Sequence, residues 1–129
     1  MKQRLEQIKQ RIRQAAESCN RDADSVRLVA VSKTIAADIV KEAIEAGVTT
    51  LGENYVQEAE SMYAALGERA RDVEWHLIGA LQKNKINKAL SIFDLFQTVD
   101  SLEKAKAIDT RAARIGKVLP VYIEVNIGS

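Results

Sequence analysis

Four times along this chain a short apolar run passes through a few polar residues into a stripe of apolar residues at helical spacing, and a fifth apolar run follows them. The runs are Leu28–Val31, Thr49–Gly52, Trp75–Gly79, Leu95–Val99 and Val121–Ile127. Short apolar, β-branched runs read as buried strands, and spacings of three and four read as amphipathic helices. Pro120 stands at the start of the last run, where a missing N–H is tolerated.

The helical stripes follow in step. Leu5, Ile8, Ile12, Ala15, Ala16 and Cys19 form an opening helix that Asn20–Asp24 breaks, with Cys19 expected as a small packed side chain. Ile35, Ile39, Val40, Ala43 and Ile44 form the next, stopped by Gly47. Val56, Ala59, Met62, Tyr63 and Leu66 run to Gly67. Asn84 is placed to cap a helix burying Ile86, Ala89 and Leu90. Asp100 with Glu103 resembles a capping box for a helix burying Leu102, Ala105, Ile108, Ala112 and Ile115, which Gly116 ends.

Strand–helix repeats with short joints build a parallel sheet through right-handed crossovers. Two α/β architectures fit. A five-stranded flavodoxin-like open sheet would lack only a final helix. A (β/α)8 TIM barrel has eight strands and about 250 residues, so this chain would be its N-terminal half. The last strand runs to Asn126-Ile127-Gly128-Ser129 with no helix after it. That ending favours residues 1–129 as a single domain, an incomplete (β/α)8 barrel.

Composition narrows the classes of function. Lys plus Arg (19) nearly balance Asp plus Glu (18), so no global charge implies nucleic acid or an anionic membrane. The single Cys19 excludes an internal disulfide and a Cys cluster for zinc, which points to a reducing cytoplasm. Lys2, Arg4, Glu6, Lys9 and Arg11 interrupt the N-terminus, unlike a signal peptide. No apolar stretch reaches the roughly 20 residues that span a bilayer.

The chemistry lies at the strand ends. Leu28-Val29-Ala30-Val31 runs into Ser32-Lys33-Thr34, delivering an amine to the end of a sheet where α/β proteins build their sites. The plainer reading of Lys33 is a solvated lysine just past a strand. Glu53-Asn54, Gly79 with Gln82-Lys83-Asn84, Asp100-Ser101 and Asn126 follow the other strands. Asn54 offers both donor and acceptor to a ligand, or else closes an Asx turn. His76, the only histidine, alternates with Trp75 and Leu77 and can face a barrel interior, as a ligand neighbour or as a hydrogen-bonded core residue. Trp75 is most simply a packing residue. Lys83, Lys85 and Lys88 lack interleaved aromatics and read as a solvated helix start. There is no glycine-rich phosphate loop, and the aspartates are too scattered to claim a metal site.

Three segments carry a resemblance: Leu28–Thr34, Gly52-Glu53-Asn54-Tyr55-Val56-Gln57-Glu58, and Trp75-His76-Leu77-Ile78-Gly79-Ala80-Leu81-Gln82-Lys83-Asn84-Lys85. With Asp100-Ser101 and Val125-Asn126 at matching places, the chain resembles the YggS/PROSC family of pyridoxal 5′-phosphate homeostasis proteins. That family is related in fold to the N-terminal barrel of alanine racemase. The resemblance implies that Lys33 holds the cofactor as a Schiff base, with Asn54 and His76 near its ring. It implies a non-catalytic role that holds and delivers the cofactor, with pyridoxal-phosphate-dependent apo-enzymes as partners. It also places the phosphate-binding segments, of Met-Gly-Met-Ser and Arg-Ile-Gly type, in the second half of the barrel. Two other readings compete: an amino-acid racemase-like enzyme, and a small flavodoxin-like binding module. Racemization needs acid/base groups on both faces of the substrate carbanion, and in the racemase fold one of them is a tyrosine from an additional domain. A half barrel with open edge strands is expected to self-associate.

Overall fold

Five parallel strands pair strictly in chain order, β1-β2-β3-β4-β5, in the computed structural model, which describes residues 1–128. They are β1 (Ala30–Val31), β2 (Thr50–Glu53), β3 (Glu74–Leu77), β4 (Leu95–Val99) and β5 (Val121–Ile123). A flavodoxin-like sheet has the order 2-1-3-4-5 and buries its first strand among others. Here β1 is an edge, so the flavodoxin alternative is excluded and the sheet is that of an N-terminal half barrel.

The helices are α1 (Lys2–Ser18), α2 (Ala37–Glu45), α3 (Val56–Leu66), α4 (Ile86–Ile92) and α5 (Leu102–Arg114), and α2 through α5 pack side by side in sequence. One face of the sheet supplies Leu51, Trp75, Leu77 and Phe96 to a single core with Val40, Ile44, Ala59, Leu66, Ile86, Leu90 and Ile108. Burying each large side chain of that set contributes roughly 1.5–3 kcal/mol. Trp75 is the packing residue expected of it: buried, tilted against Tyr63 at 5.2 Å, with its indole N–H donating to the Ala70 carbonyl at 2.9 Å. Alternate strand positions point the other way, so Gly52, His76 and Leu95, partners in register, share the opposite face.

Several local expectations are corrected. Cys19 is exposed, its thiol lying 3.3 Å from the Ala16 carbonyl, because only Leu5 and Ala16 of the α1 stripe are buried. Ile35 and Ile39 stay exposed beside β1, since α2 turns only Val40 and Ile44 into the core. Asn84 does not cap α4; it sits within a 3-10 turn, Lys83–Lys85, that leads into the helix. The α5 cap falls one residue later than expected. Ser101 accepts the Lys104 N–H at 3.2 Å, and Asp100 instead pairs with the Lys104 ammonium at 3.1 Å. Leu102 and Ile115 are exposed, because α5 buries only Ile108 and Ala112. The last strand closes at Ile123, and Val125 and Ile127 lie beyond it, exposed. Ser129 falls outside the described residues.

Candidate functional site

All five strands point their C-terminal ends the same way, and the polar residues that follow them gather at that end of the sheet. Register fixes their levels. Val31 pairs with Gly52 and Glu53 with Leu77, so Lys33, Asn54 and Ile78 stand one rung above the strands, near one height. Lys33 occupies a tight turn closed by the Ile35 N–H donating to the Ser32 carbonyl at 3.1 Å. The lysine is exposed and forms no ion pair among the described residues. It lines a cleft of about 550 Å³ with Ser32, Thr34, Glu53 and the α3 residues Gln57 and Glu58.

Asn54 lines the neighbouring cleft, about 440 Å³, with Tyr55, Gly79, Gln82 and Lys85. Gln57 and Glu58 wall both clefts, so the structure brings Lys33 and Asn54 to adjoining parts of one mouth. The Asn54 backbone is fixed by Gly79: a Cβ there would lie 2.1 Å from the Asn54 carbonyl oxygen. The Gly79 carbonyl in turn accepts the Thr98 hydroxyl at 2.6 Å. These contacts lock the ends of β2, β3 and β4 together.

His76 stands two residues lower, roughly 7 Å at about 3.3 Å per residue, on the face opposite the helices. It is buried and lines neither cleft. Its Nδ1 accepts from the Gln97 amide at 3.0 Å and its Nε2 lies 3.1 Å from Glu74. With Gln97 as donor, the ring proton sits on Nε2 and is donated to Glu74. Burial alone would raise the Glu74 pKa, but the His76 bond and the nearby Arg27 outweigh it and hold the carboxyl below its usual range. Both imidazole nitrogens are engaged, the arrangement of a hydrogen-bonded core histidine.

Glu53 is the functional-looking residue that sequence reasoning left without a role. It is 1% exposed at the end of β2 and accepts a hydrogen bond from the Ser32 hydroxyl. Burial pushes its carboxyl above the ordinary range; the Ser32 bond opposes that rise and Glu58 adds to it. A charged residue closing an apolar strand was the available signal. Lys83 and Lys88, read as a solvated helix start, pair with Glu103 and Glu60 across neighbouring helices. Arg114-Ile115-Gly116 closes α5 at the end of the sheet away from this mouth, since a crossover helix begins at the strand's C-terminal end and runs back.

Residues 3–129 match the family described as alanine racemase, N-terminal domain. The chain belongs to that family. Within it, the chain is 40% identical over 125 residues to the pyridoxal phosphate homeostasis protein of Escherichia coli strain K12, covering 95% of this chain and 53% of that protein. It is 37% identical over 127 residues to the one from Pasteurella multocida, covering 98% and 54%. The solved structure of PipY from Synechococcus elongatus with pyridoxal phosphate bound superimposes with a TM-score of 0.78 at 37% identity, covering 91% of this chain and 55% of that one. The chain thus spans about half the length of the relatives it matches, and the resemblance read from the three motifs is confirmed. No helix is long and apolar enough to cross a membrane among the described residues.

Proposed function

We propose that this chain forms the covalent-anchor half of a pyridoxal-phosphate-binding barrel, acting in the cytoplasm to hold and deliver the cofactor rather than to turn over a substrate. The observation that carries the reading is the position of Lys33. It stands on a turn at the C-terminal end of β1, level with Asn54, in a chain 37% identical to a relative solved with pyridoxal phosphate bound. When bound, the cofactor supplies a reactive aldehyde. Lys33 would hold it covalently through its amine, as a Schiff base whose C=N bond forms with loss of water. The donor set fits that end of the ligand: an exposed amine, without an ion pair among the described residues, beside the polar wall of Asn54, Gln57 and Glu58. Asn54 and, below it on the same sheet face, His76, held by Glu74 and Gln97, would stand on the ring's side of the mouth. The phosphate falls to segments of the second half barrel, and pyridoxal-phosphate-dependent apo-enzymes are the recipients.

The test is borohydride reduction after adding pyridoxal phosphate, read by peptide mass. Label on Lys33 that Lys33→Ala abolishes supports the reading; an undiminished stoichiometric label in Lys33→Ala overturns it. The non-catalytic role fails if the protein exchanges the α-proton of an amino acid stereospecifically at rates typical of enzymes, about 1 s⁻¹ or faster.

The same half-barrel geometry supports self-association of residues 1–129 as one incomplete domain. Val31 and Ile35 are exposed along one open edge, and Tyr122, Ile123 and Val125 along the other. Unpaired edges and apolar patches promote association, and a two-fold dimer is its commonest form. Sedimentation across a wide concentration range should show it. A cooperative monomer that binds little apolar dye would refute it.

A further inference from the structure

Glu53 is the only buried carboxyl among the described residues, and its sole hydrogen-bonding partner is the residue before Lys33. Its register partner Leu77 faces the helices, so Glu53 points to that side. A leucine or methionine would fill such a position without desolvating a charge. The Glu53 carboxyl holds Ser32 instead, and the Ser32 N–H is held as well, donating to the Gly52 carbonyl at 3.3 Å.

Ser32 is the first residue of the turn that carries Lys33, and its carbonyl closes that turn. The third residue, Thr34, has φ +62°. Left-handed backbone at this turn position ordinarily goes to glycine, and a β-branched residue adopts it only under strain. The partner of a buried carboxyl and a strained backbone therefore fall in the same four-residue turn. Among the described residues the Lys33 side chain has no ion pair to orient it, so the backbone of this turn sets its direction.

We propose that Glu53 is a positioning residue for Lys33: through Ser32 it fixes the turn from which the Lys33 amine projects into the mouth. This deepens, and rests on, the reading of Lys33 as the covalent anchor. Misplacing a reacting group by about 1 Å costs about 100-fold in rate, and Ser32 anchored on both its N–H and its hydroxyl leaves the turn little room to move.

The experiment uses the 129-residue chain and two readouts. The first is the rate at which pyridoxal phosphate and borohydride label Lys33, divided by that of Lys106, an exposed lysine on α5 in the same sample. The second needs no cofactor: hydrogen exchange of the Ile35 amide that closes the turn. Ser32→Ala and Glu53→Met should each lower the labelling ratio about tenfold or more and speed Ile35 exchange by a similar factor. Glu53→Gln keeps a side-chain oxygen to accept from Ser32 and should stay within about threefold of the parent. If Ser32→Ala does not fold, the Met and Gln variants at position 53 decide between themselves. A Glu53 that serves only stability would lower the melting temperature and leave the labelling ratio unmoved, which overturns the proposal. Lys33→Ala separates the two claims. Label that survives it condemns the anchor; label lost in it, with silent Ser32 and Glu53 variants, condemns the positioning alone.

Discussion

Replacing Gly79 by alanine should be among the most damaging single-methyl changes available to this chain, and the reason is steric rather than conformational. Gly79 does not have a positive φ, so alanine can adopt its backbone. The added Cβ, however, would lie 2.1 Å from the Asn54 carbonyl oxygen and 2.8 Å from its carbon. Both partners are backbone, so relief requires the β3 and β2 ends to part by about 1 Å, the shift that an overpacked contact of this depth demands. Two hydrogen bonds resist that motion: Ile78 N–H to Glu53 at 2.9 Å and Thr98 to the Gly79 carbonyl at 2.6 Å. Overpacking costs about 1–3 kcal/mol and each weakened bond about 1 kcal/mol, so Gly79→Ala should lose roughly 3–5 kcal/mol. Gly116 is the control. It follows the end of α5 with φ +66° and nothing within 4 Å, and alanine there costs only the left-handed strain of about 1–2 kcal/mol. Urea unfolding of the two variants measures the difference directly, with unchanged slopes showing that only stability moved. Equal midpoints for the two would refute the contact argument.

Four further outcomes are expected. The raised Glu53 carboxyl contributes stability that is fully present below its unfolded pKa near 4.5 and is lost as pH rises through its folded value, so Glu53→Gln should gain on the parent as pH rises above 4.5. The lowered Glu74 behaves oppositely: its contribution is present above pH 4.5 and lost as pH falls, so Glu74→Gln should flatten the acid limb of a stability–pH profile. Lys117 donates to the Leu90 and Phe93 carbonyls at 2.6 and 2.8 Å, closing the end of α4. Lys117→Met should cost about 1–3 kcal/mol by thermal melting, as for hydrogen bonds to a charged group. Ser101→Ala should cost about 1 kcal/mol as a lost cap, while Asp100→Ala, breaking an exposed ion pair, should cost no more than about 0.5 kcal/mol in the same assay.

The alternation of apolar runs and helical stripes carried the architecture, because in a parallel sheet each strand announces itself as a continuous apolar segment and each crossover as a 3.6-residue stripe. Strand order was not legible. Four βα units and a fifth strand satisfy an open sheet or a half barrel, and only the pairing of β1 with β2 alone decides. Boundaries slipped where two residues competed for one role, as Asp100 and Ser101 did at the α5 cap. The exposed Ile35, Ile39, Leu102 and Ile115 were read as buried because periodicity reports which face is apolar, not whether anything covers it. At the site, Lys33 and Asn54 stood out as polar residues ending apolar runs. The Ser32–Glu53 bond joins residues 21 apart in the chain, and no local pattern encodes it.

Nearest-neighbour pairing also has a consequence for how the chain comes into being. No strand has to be inserted between two that are already bonded, so every newly synthesised βα unit docks on the edge left by the one before it. An order such as 2-1-3 would add β2 to one edge of β1 and β3 to the other, so the sheet would grow in both directions. Here the ribosome can deliver a sheet that grows in one direction only, with the turn bearing Lys33 anchored as soon as β2 and Glu53 arrive. Stalled chains released after each unit should therefore gain protection from proteolysis stepwise, from the N-terminus onward, with the Lys33 turn guarded before β3 has been made.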